Sequence, residues 1–583
     1  MDASVWKITD PGPSAAALAA ELGISLPIAR ILAGRRLADP ESARRFLHGT
    51  LDDLHDPFLM AGMDKAVDRV FTAIEAGEPI LIFGDYDADG ILAMVMLHKA
   101  LTTLGARADH FIPERLRDGY GMKEEHITVA AERGARLVIS VDCGIKASGF
   151  VRRAGELGID VIITDHHLPG DVLPAAVAVL DPVLESSGYP DRSLAGVGVA
   201  YKLIQALFIR KGLTEEAEKY LRHCLKLVAI GTISDIAALR GENRILVKEG
   251  LEMLRGPLND GLSSLLDVCG LTGKRISEGD VGFRIGPRIN AAGRMGQTQL
   301  AVDLFLPKEE SDKEKSKEEM KKEEKARTTR IAKLLDKLNS DRQKAEDKIL
   351  KQALELIRRE GLEKDKILIL GSDEWSRGIV GIVASRLKET FSRPVILFAY
   401  DDGKAHGSGR SISEFSLIDC LEACREHFLS YGGHKYAVGC TLVLGSMPAF
   451  REAATRIAGE RITDEDMRRK VRIDTDLGFA DLTAAFHDEL SLLAPFGVEN
   501  PRPVFMTSGA EVVGRPRKLK DSHVKFDVRH QGRLMEAIGW QKGDWFSKIA
   551  PGDRVDLAFT IQTSSYLGRE NCYLSLEAMR RMV

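Results

Sequence analysis

Apolar residues along this chain follow two spacings that predict different secondary structures. Over residues 1–75 they recur every three or four positions and each run ends at Gly or Pro, which predicts helices. After them come short continuous apolar runs separated by helical stretches. These runs are PILIF (79–83), RLVISVD (136–142) and DVIITD (160–165). Such an alternation is typical of a doubly wound parallel sheet that is covered on both faces.

A second α/β unit follows a long helical segment. An amphipathic pattern starts at Ile331 and predicts a long connecting helix. Beyond it lie KILILG (366–371), a helix over 379–389 and PVILFAY (394–400). Past about residue 465, short alternating strands with basic turns fit a small β-barrel. We therefore predict an α/β protein with two α/β lobes joined by a long helix, followed by a barrel that resembles an oligonucleotide-binding (OB) fold.

These patterns divide the chain into five predicted segments. They are an N-terminal helical segment (1–75), a first α/β domain (76–270), a connecting segment (271–350), a second α/β domain (351–464) and the barrel (465–583). The connecting segment includes a run at 307–328 that is nearly all Lys and Glu. Because it has no apolar face, it predicts a solvated helix or a disordered insertion, and we expect a spacer rather than a partner site.

Composition and charge narrow the class of protein only slightly. The 583 residues are 44% hydrophobic and 29% charged, with a net charge of −4, as in ordinary globular proteins. No basic region precedes an apolar core at the N-terminus, and no run reaches the roughly 18 apolar residues of a membrane helix. The seven cysteines are scattered without a CxxC pair, which favours a reducing compartment. We expect a cytoplasmic protein with no membrane contact.

All three apolar runs of the first α/β domain end in acidic residues. The acidic and imidazole groups at these ends, or in the later motif GTISD, are Asp85, Asp87, Asp89, Asp142, Asp165, His166, His167 and Asp235. The carboxyl ends of parallel strands meet at one edge of a sheet, so we expect these groups to converge. One aspartate at a strand end is more often a helix cap. Three such ends in register, one of them with two histidines, predict a site.

This set of ligands points to hard divalent cations. Carboxylate oxygens with imidazole suit Mn²⁺ or Mg²⁺ better than a metal that prefers thiolates. So many like charges can share a pocket only if cations compensate them. Two metal ions about 3.5–4 Å apart would do so, and such a pair is the usual device for displacement at phosphorus. We therefore predict two divalent metal ions as cofactors.

The motifs GDYDADG, VDCG, TDHH and GTISD resemble, in this order, those of the DHH phosphoesterase superfamily. Further motifs resemble the RecJ family of exonucleases: GFRIGPRINAAGRMG (282–296), GIVGIVASRL (378–387), GSGRSI (407–412) and GGHKYAVG (432–439). The resemblance covers nearly the whole chain apart from the Lys/Glu run. It implies a DHH domain, a DHH-associated domain and an OB-like domain. It also implies 5′→3′ hydrolysis of single-stranded DNA to 5′-mononucleotides, in DNA repair and recombination.

The resemblance also implies roles for the acidic groups. Asp142 would bridge the two metals and Asp87 would hold one of them. Asp89, His166 and Asp235 would hold the other. The catalytic residues would be His167, against the scissile phosphate, together with Asp142 and Asp85. Asp85 and Asp165 would orient ligands or complete a shell. Phe83 stands where some relatives have a histidine, so one metal would be held more loosely here.

Substrate contacts follow from the remaining motifs. The residues implied are Arg115, Tyr120, Arg288, Asn290 and Arg294, with Ser408 and Arg410 for a terminal 5′ phosphate and Gly432, Gly433 and His434 as a phosphate cradle. Taken alone, these residues would be surface arginines, a plain turn and a core-edge aromatic. In the barrel, the basic residues Arg515, Arg517, Lys518, Lys520 and Lys525 occur with Phe526 and Trp540, as in single-strand binders. One departure is Ser376-Arg377, where the family usually has a histidine.

Several other functions fit part of the pattern. Within the superfamily, the alternative is a short-RNA nuclease or a cyclic-dinucleotide phosphodiesterase, but those enzymes usually lack the barrel. An inactive DNA-binding scaffold would have lost metal ligands, and all are present here. An inorganic pyrophosphatase would need neither the arginines nor the barrel. We expect a monomer that acts on single-stranded DNA. The family suggests a single-strand-binding protein and a helicase as its partners.

Overall fold

The structure of this chain is a computed structural model that describes residues 4–115, 117–119, 121–306, 316–566 and 569–582. Internal contacts divide the chain into two compact units. One contains residues 1–49, 463–496 and 500–583, and the other contains residues 50–462 and 497–499. The first predicted segment (1–75) is therefore split between the units near Gly49. The five-segment division is finer than these units and stays a prediction.

The strands run in chain order along the described residues. They are β1 (Val5–Ile8), β2 (Pro79–Gly84), β3 (Arg107–Phe111), β4 (Leu137–Val141), β5 (Asp160–Thr164), β6 (Ala178–Leu180), β7 (Leu368–Ser372), β8 (Val395–Asp401), β9 (Lys404–Arg410), β10 (Phe428–His434), β11 (Ala437–Val443), β12 (Lys470–Ile473), β13 (Thr475–Asp476), β14 (Phe505–Leu519), β15 (His523–His530), β16 (Arg533–Gly539), β17 (Arg554–Tyr566) and β18 (Arg569–Arg581).

The α-helices are numbered in the same way. They are α1 (Ser14–Leu22), α2 (Leu26–Gly34), α3 (Pro40–His48), α4 (Met63–Glu75), α5 (Ala88–Thr103), α6 (Ile127–Glu132), α7 (Ser148–Glu156), α8 (Gly196–Lys211), α9 (Glu215–Ser234), α10 (Gly241–Met253), α11 (Asp260–Val268), α12 (Glu278–Asp280), α13 (Gly286–Arg294), α14 (Thr298–Phe305), α15 (Lys317–Glu360), α16 (Val380–Phe391), α17 (Leu417–Glu422), α18 (Met447–Arg461) and α19 (Ala484–Leu492).

The first lobe, residues 50–306, contains a five-stranded sheet in the order β3-β2-β4-β5-β6, and every pairing in it is parallel. Alternate side chains enter two apolar cores. Ile80 and Ile82 pack into the core that holds α5 and α8, whereas Leu81 and Phe83 pack into the core on the opposite face. This confirms the predicted doubly wound sheet, and it explains why the strands read as continuous apolar runs.

A single long helix connects this lobe to the second α/β lobe, residues 362–462. Helix α15 has 44 residues and is therefore about 66 Å long. Its side chains enter both cores, with Leu335 in the first and Ile349 and Ile357 in the second. The helix begins at Lys317 rather than at the predicted Ile331. The part of the Lys/Glu run from Ser316 onward is thus helical, exposed at its start and buried by Thr328, and residues 307–315 lie outside the described residues.

The second lobe is a mixed sheet in the order β10-β11-β9-β8-β7, in which only β7 and β8 are parallel. In the other compact unit, β14 pairs with both β15 and β17, which closes β14-β15-β16-β18-β17 into a barrel. Helices α1–α3 share the barrel's apolar core, where Ile28 and Leu32 pack with Phe505 and Phe559. The predicted α/β lobes, connecting helix and OB-like barrel are confirmed.

Candidate metal centre

Four aspartates follow the ends of four neighbouring strands at the same level of the first sheet. Gly84 pairs with Val141, Val141 with Thr164, and Thr164 with Leu180. The residue directly after each of these strand ends is an aspartate: Asp85, Asp142, Asp165 or Asp181. All four are buried. The backbone of Asp142 has φ of 61°, a left-handed conformation that L-residues seldom adopt. The convergence predicted from the strand ends is therefore present, with one more aspartate than predicted.

The loop after β2 supplies two further carboxylates. Asp87 caps α5, accepting hydrogen bonds from the N–H groups of Asp89 at 2.9 Å and Gly90 at 3.2 Å. A Cβ on Gly90 would lie 2.7 Å from the backbone nitrogen of Asp85, so this tight turn requires glycine. Asp89 is fully buried and accepts hydrogen bonds from the first two N–H groups of α8, those of Gly196 at 2.8 Å and Val197 at 3.0 Å.

The ligand atoms form three overlapping groups, each within 4.8 Å. They are Asp85 with Asp87 and Asp142, Asp89 with His166 and Asp235, and Asp142 with His166 and His167. Nε2 of His166 lies 3.0 Å from Asp142 Oδ1, 3.8 Å from Asp235 Oδ2 and 3.9 Å from Asp89 Oδ2. Asp142 and His166 thus each belong to two of the three groups. The predicted assignment of each residue to one metal or the other stays a prediction.

Electrostatics show that the chain itself does not neutralise this cluster. Burial, reinforced by the neighbouring carboxylates, raises the pKa of Asp85, Asp142 and Asp235 well above the usual range and that of Asp89 to about 7. Burial and the nearby His167 lower the pKa of His166 to about 4, so its imidazole is neutral at pH 7.

Buried atoms of the cluster are also left without hydrogen bonds. Among the described residues, Oδ1 of Asp85 has no hydrogen-bond partner, and Nε2 of His166 forms no hydrogen bond even though it lies 3.0 Å from Asp142 Oδ1. Buried polar atoms are normally paired, and a metal ion is one way to satisfy them. Carboxylate oxygens and a neutral imidazole are the donors that Mn²⁺ and Mg²⁺ accept. The residues present therefore fit a pair of divalent cations.

Asp165 holds His167 rather than joining the three groups. Its Oδ1 lies 2.7 Å from Nδ1 of His167, and its Oδ2 accepts a hydrogen bond from the N–H of Ile145 at 2.9 Å. Burial alone would lower the pKa of His167, but the hydrogen bond and charge of Asp165 outweigh it and raise that pKa. Burial would likewise raise the pKa of Asp165, and the His167 hydrogen bond lowers it overall. Asp165 thus orients the imidazole of His167 and favours its protonated form.

The motif GPRINAAGR forms helix α13, which packs directly on the metal loops. A Cβ on Gly286 would lie 2.3 Å from Ser234 Oγ, and one on Gly293 would lie 2.5 Å from the carbonyl oxygen of Tyr86. Asn290 Oδ1 accepts a hydrogen bond from the N–H of Ala88 at 2.7 Å. These glycines serve close helix packing, and Asn290 fixes the loop that carries Asp87 and Asp89.

The two arginines of this motif have protein partners. Arg288 forms an ion pair with Asp336 on α15 at 2.7 Å and donates to the carbonyl oxygen of Arg284 at 2.6 Å. Arg294 donates to the carbonyl oxygen of Gly378 at 3.0 Å and so links the first lobe to the second. Contacts of either arginine with DNA stay predictions.

A cleft of about 970 Å³ lies between the two lobes. The first lobe lines it with Arg115, Asp165 and His167, among others, and the second lobe with Arg377 and Gly432–His434. The glycines are in strand β10, at the edge of its sheet, and not in a loop. At Gly433, where φ is 135°, a Cβ would lie 2.3 Å from the carbonyl oxygen of Ala437, so no other residue fits. Tyr120 lies outside the described residues.

Three guanidinium groups cluster near the acidic edge. Burial and the charge of Arg115 lower the pKa of Arg294 to about 10, and the same two causes lower the pKa of Arg410. The charge of Asp87 acts on Arg294 in the opposite direction. Arg410 donates to Ser408 Oγ at 3.4 Å, from neighbouring positions on β9. Like charges held this close favour an anion between them.

The departure at Ser376-Arg377 has a structural counterpart on the wall of the cleft. Arg377 donates to Asp401 at 2.8 Å and contacts Nε2 of His406, which also lines the cleft. His406 was missed from the sequence. Strand periodicity could have identified it, because His406 is two positions before Ser408 on β9 and therefore lies on the same face of the strand. Phe83 packs against Phe111 and Phe150 at centroid distances of 5.4 and 6.2 Å, so it is a core residue. That one of the two metals is held more loosely here stays a prediction.

In the barrel, the predicted aromatic residues differ in exposure. Phe526 is buried in the core, whereas Trp540 is 44% exposed and lies edge-on to His523. Lys525 pairs with Glu536, and Lys518 lies over the ring of Phe546, which is 40% exposed and was missed from the sequence. Of the two predicted aromatics, only Trp540 is therefore placed to stack on a base.

Comparison with known protein families identifies three domains along the chain. Residues 79–232 match the DHH family, N-terminal domain. Residues 364–460 match the DHHA1 domain, and residues 473–578 match the RecJ OB domain. These ranges coincide with the parallel sheet, the second lobe and the barrel.

Individual proteins are similar over nearly the full length. The single-stranded-DNA-specific exonuclease RecJ of Bacillus subtilis is 37% identical over 577 residues, which cover 98% of this chain and 70% of the relative. The crystal structure of RecJ from Thermus thermophilus in complex with Mn²⁺ superposes with a TM-score of 0.82 and 31% identity, over 99% of this chain and 80% of that one. The corresponding complex with Mg²⁺ gives a TM-score of 0.76 and 29% identity, over 99% and 78% of the two chains.

Proposed function

This chain belongs to the RecJ family of single-stranded-DNA-specific exonucleases, and we propose that it hydrolyses single-stranded DNA from the 5′ end with two divalent metal ions, Mn²⁺ or Mg²⁺. The products are 5′-mononucleotides. The observation that carries the proposal is the meeting of two opposite clusters beside one cleft: buried carboxylates on the first lobe, and the guanidinium groups of Arg115, Arg294 and Arg410. A nucleic-acid backbone is the substrate that needs both.

The carboxylates of the first lobe would bind the metal ions and repel other anions. Asp87, Asp89, Asp142, His166 and Asp235 would be the ligands, with Asp85 beside them. Bound divalent ions supply Lewis-acid chemistry that stabilises the charge developing on the scissile phosphate. Asp89 accepts a hydrogen bond from the start of α8, and Asp87 accepts one from the N–H of Asp89. These bonds keep the loop rigid, so the ligand positions exist before the ions bind.

His167 would act directly on the phosphate. Because Asp165 accepts the hydrogen bond from Nδ1–H, Nε2 is the ring nitrogen directed at substrate, and the raised pKa of His167 favours the protonated ring. A protonated imidazole donates a hydrogen bond to a phosphoryl oxygen and gains strength as negative charge develops there. Asp165 is the positioning residue for this contact.

Specificity for single strands follows from the walls of the cleft. The second lobe lines the cleft with backbone at Gly432 and Gly433 and with the cation of Arg377. These groups read phosphate rather than base edges, so they impose no sequence preference. Both lobes are held by α15 and by the bond from Arg294 to Gly378. A cleft fixed in this way admits one strand and excludes the wider duplex.

The same proposal extends to the enzyme's assembly, location, biological process and protein partners. We propose that the enzyme works as a monomer in the cytoplasm, in repair and recombination, and that a single-strand-binding protein and a helicase present its substrate. The described cysteines form no disulfides, which agrees with a reducing compartment. Among the described helices, none has the length and apolar character to cross a membrane.

The test uses single-stranded DNA labelled at the 5′ or the 3′ end, with Mn²⁺. We expect the 5′ label to be released at once as a mononucleotide, while the 3′ label stays on a shortening strand. The Asp142→Ala protein, matched for concentration, should release neither. Release from the 3′ end first, or equal release by Asp142→Ala, would contradict the proposal.

The superfamily alternative is tested in parallel. A di- to pentanucleotide RNA and a cyclic dinucleotide are offered to the same preparation under the same conditions. We expect kcat/KM for the long single-stranded DNA to exceed both, because the three arginines of the cluster would contact more phosphates than a dinucleotide has. A higher kcat/KM for the short substrates would favour the alternative.

A further inference from the structure

A second cavity opens in the first lobe, away from the cleft. Its volume is about 400 Å³, within the range of small-molecule sites, and it lies between helices α5 and α9 with a contribution from the start of α11. Most of the surface that lines it is apolar, and Met96, Leu227 and Leu262 contribute to that surface. None of the groups proposed for the exonuclease reaction lines it.

The charge of this cavity is positive. Three lysines and one acid, Glu216, line it. Two of the lysines have partners, since Lys219 pairs with Glu215 at 2.7 Å and Lys226 donates to the carbonyl oxygen of Pro257. The ammonium group of Lys99 forms neither a hydrogen bond nor an ion pair with any described residue, although the backbone carbonyl of Lys99 accepts a hydrogen bond from Thr103 Oγ1. The cavity therefore presents one ammonium group that lacks a counterion.

The surroundings of Lys99 do not neutralise it. Burial lowers its pKa, and the charges that oppose this effect come from Cys224 and from Glu324 on α15. Burial raises the pKa of the Cys224 thiol to about 12, so this thiol is neutral at pH 7. Glu324 already accepts two hydrogen bonds from Arg327 at 2.7 Å. An ammonium group at an apolar wall attracts an external anion.

We propose that this cavity is a binding site for an amphipathic carboxylate, with the carboxylate on Lys99 and an alkyl chain along Met96, Leu227 and Leu262. Charge complementarity excludes a cation, and the apolar lining excludes a small inorganic anion as the preferred occupant. The inference stands whether or not the exonuclease function holds, because it rests on different residues.

Titration calorimetry of the Mn²⁺-loaded full chain with decanoate, below its micelle concentration, tests the proposal. We expect one molecule bound per chain. Lys99→Met should weaken binding about 10- to 100-fold, the contribution of a charged hydrogen bond. The matched variant Lys219→Met, which removes an exposed lysine of the same cavity, should change affinity less than about threefold. Equal affinity in the wild-type and Lys99→Met proteins would overturn the proposal.

Chain length and head-group charge supply a second, mutation-free readout. Each CH₂ removed from decanoate should weaken binding about fourfold, and decyltrimethylammonium should not bind. Affinity independent of chain length, or equal for the cation, would overturn the site. Sedimentation gives a third outcome that would overturn the site. If the wild-type chain is a dimer and Lys99→Met is a monomer, a second copy of the chain covers Lys99.

Discussion

The two walls of the cleft differ in how their charges are satisfied. On the first lobe, buried carboxylates crowd together, and Asp85 Oδ1 has no hydrogen-bond partner. On the second lobe, Arg377 is paired with Asp401 and contacts His406, and Arg410 donates to its own strand. The carboxylates of the acidic wall are not neutralised by the described chain, whereas Arg377 on the basic wall already has a carboxylate partner. The acidic wall therefore needs bound cations for its charge balance, and Arg377 does not need a bound anion.

Removing Asp142 should produce the largest difference between the walls. Asp142→Ala should lower kcat roughly 1,000-fold or more, because the proposed shared ligand of two metal ions would be lost. The measurement is mononucleotide release at saturating Mn²⁺, with calorimetry of Mn²⁺ binding. The matched control is Asp181→Asn, a buried strand-end aspartate outside the three groups, whose amide retains the hydrogen bond from Val183. It should stay within about threefold of wild type; equal losses would contradict the assignment.

Removing the charge of Asp165 should have the next largest effect. Asp165→Asn leaves an oxygen for the N–H of Ile145 but weakens the hold on Nδ1 of His167. We expect kcat to fall about 10- to 100-fold. The pH profile of kcat should shift to lower pH, since the pKa of His167 falls without the carboxylate. A loss of kcat with an unchanged pH profile would argue against the positioning role.

On the basic wall, Arg410→Met should act on the substrate's end rather than on the chemistry. We expect kcat/KM for 5′-phosphorylated DNA to fall about 10-fold, with a smaller change for 5′-hydroxyl DNA. The comparison of the two DNAs is the measurement. Lys388→Met, which removes an exposed cation from α16 outside the cleft lining, is the control. Equal effects on both DNAs would remove Arg410 from the 5′-phosphate site.

Stability without metal should show the smallest effect. The pKa of Asp89 is about 7 in the folded chain, against about 3.9 unfolded. The folded state therefore binds more protons between these values, so stability falls as pH rises from about 4 to 7. In chelator, we expect Tm to be a few degrees lower at pH 7.5 than at pH 5.5. Asp89→Asn should reduce this difference, and saturating Mn²⁺ should reverse it. An unchanged difference in Asp89→Asn would contradict the assigned pKa.

The convergence of the acidic residues was largely predictable from the sequence, because it follows from local features of the chain. Each apolar run stops at an aspartate, and parallel pairing brings those ends together. Asp181 was missed because β6 has only three residues, too short for a pattern. The partners on Asp89 were missed because they are backbone groups of α8, more than 100 positions away.

The roles of the arginines depend on contacts between distant parts of the chain, which no pattern reveals. Arg288 finds Asp336 on α15, 48 positions later. Sequence identifies Arg288 as a cation near the site but cannot say whether its charge is already paired. The same holds for the helices before Gly49, whose apolar faces are clear although the barrel core they join lies more than 400 residues away.

The left-handed backbone at Asp142 gives this position an evolutionary consequence. Glycine there would relieve both the unfavourable φ and the repulsion between carboxylates, and asparagine would relieve much of each. Both substitutions would remove a carboxylate oxygen from the proposed bridge. Selection for thermostability alone, without selection for activity, would favour them at this position. The proposed function and the backbone conformation thus place opposite demands on this residue.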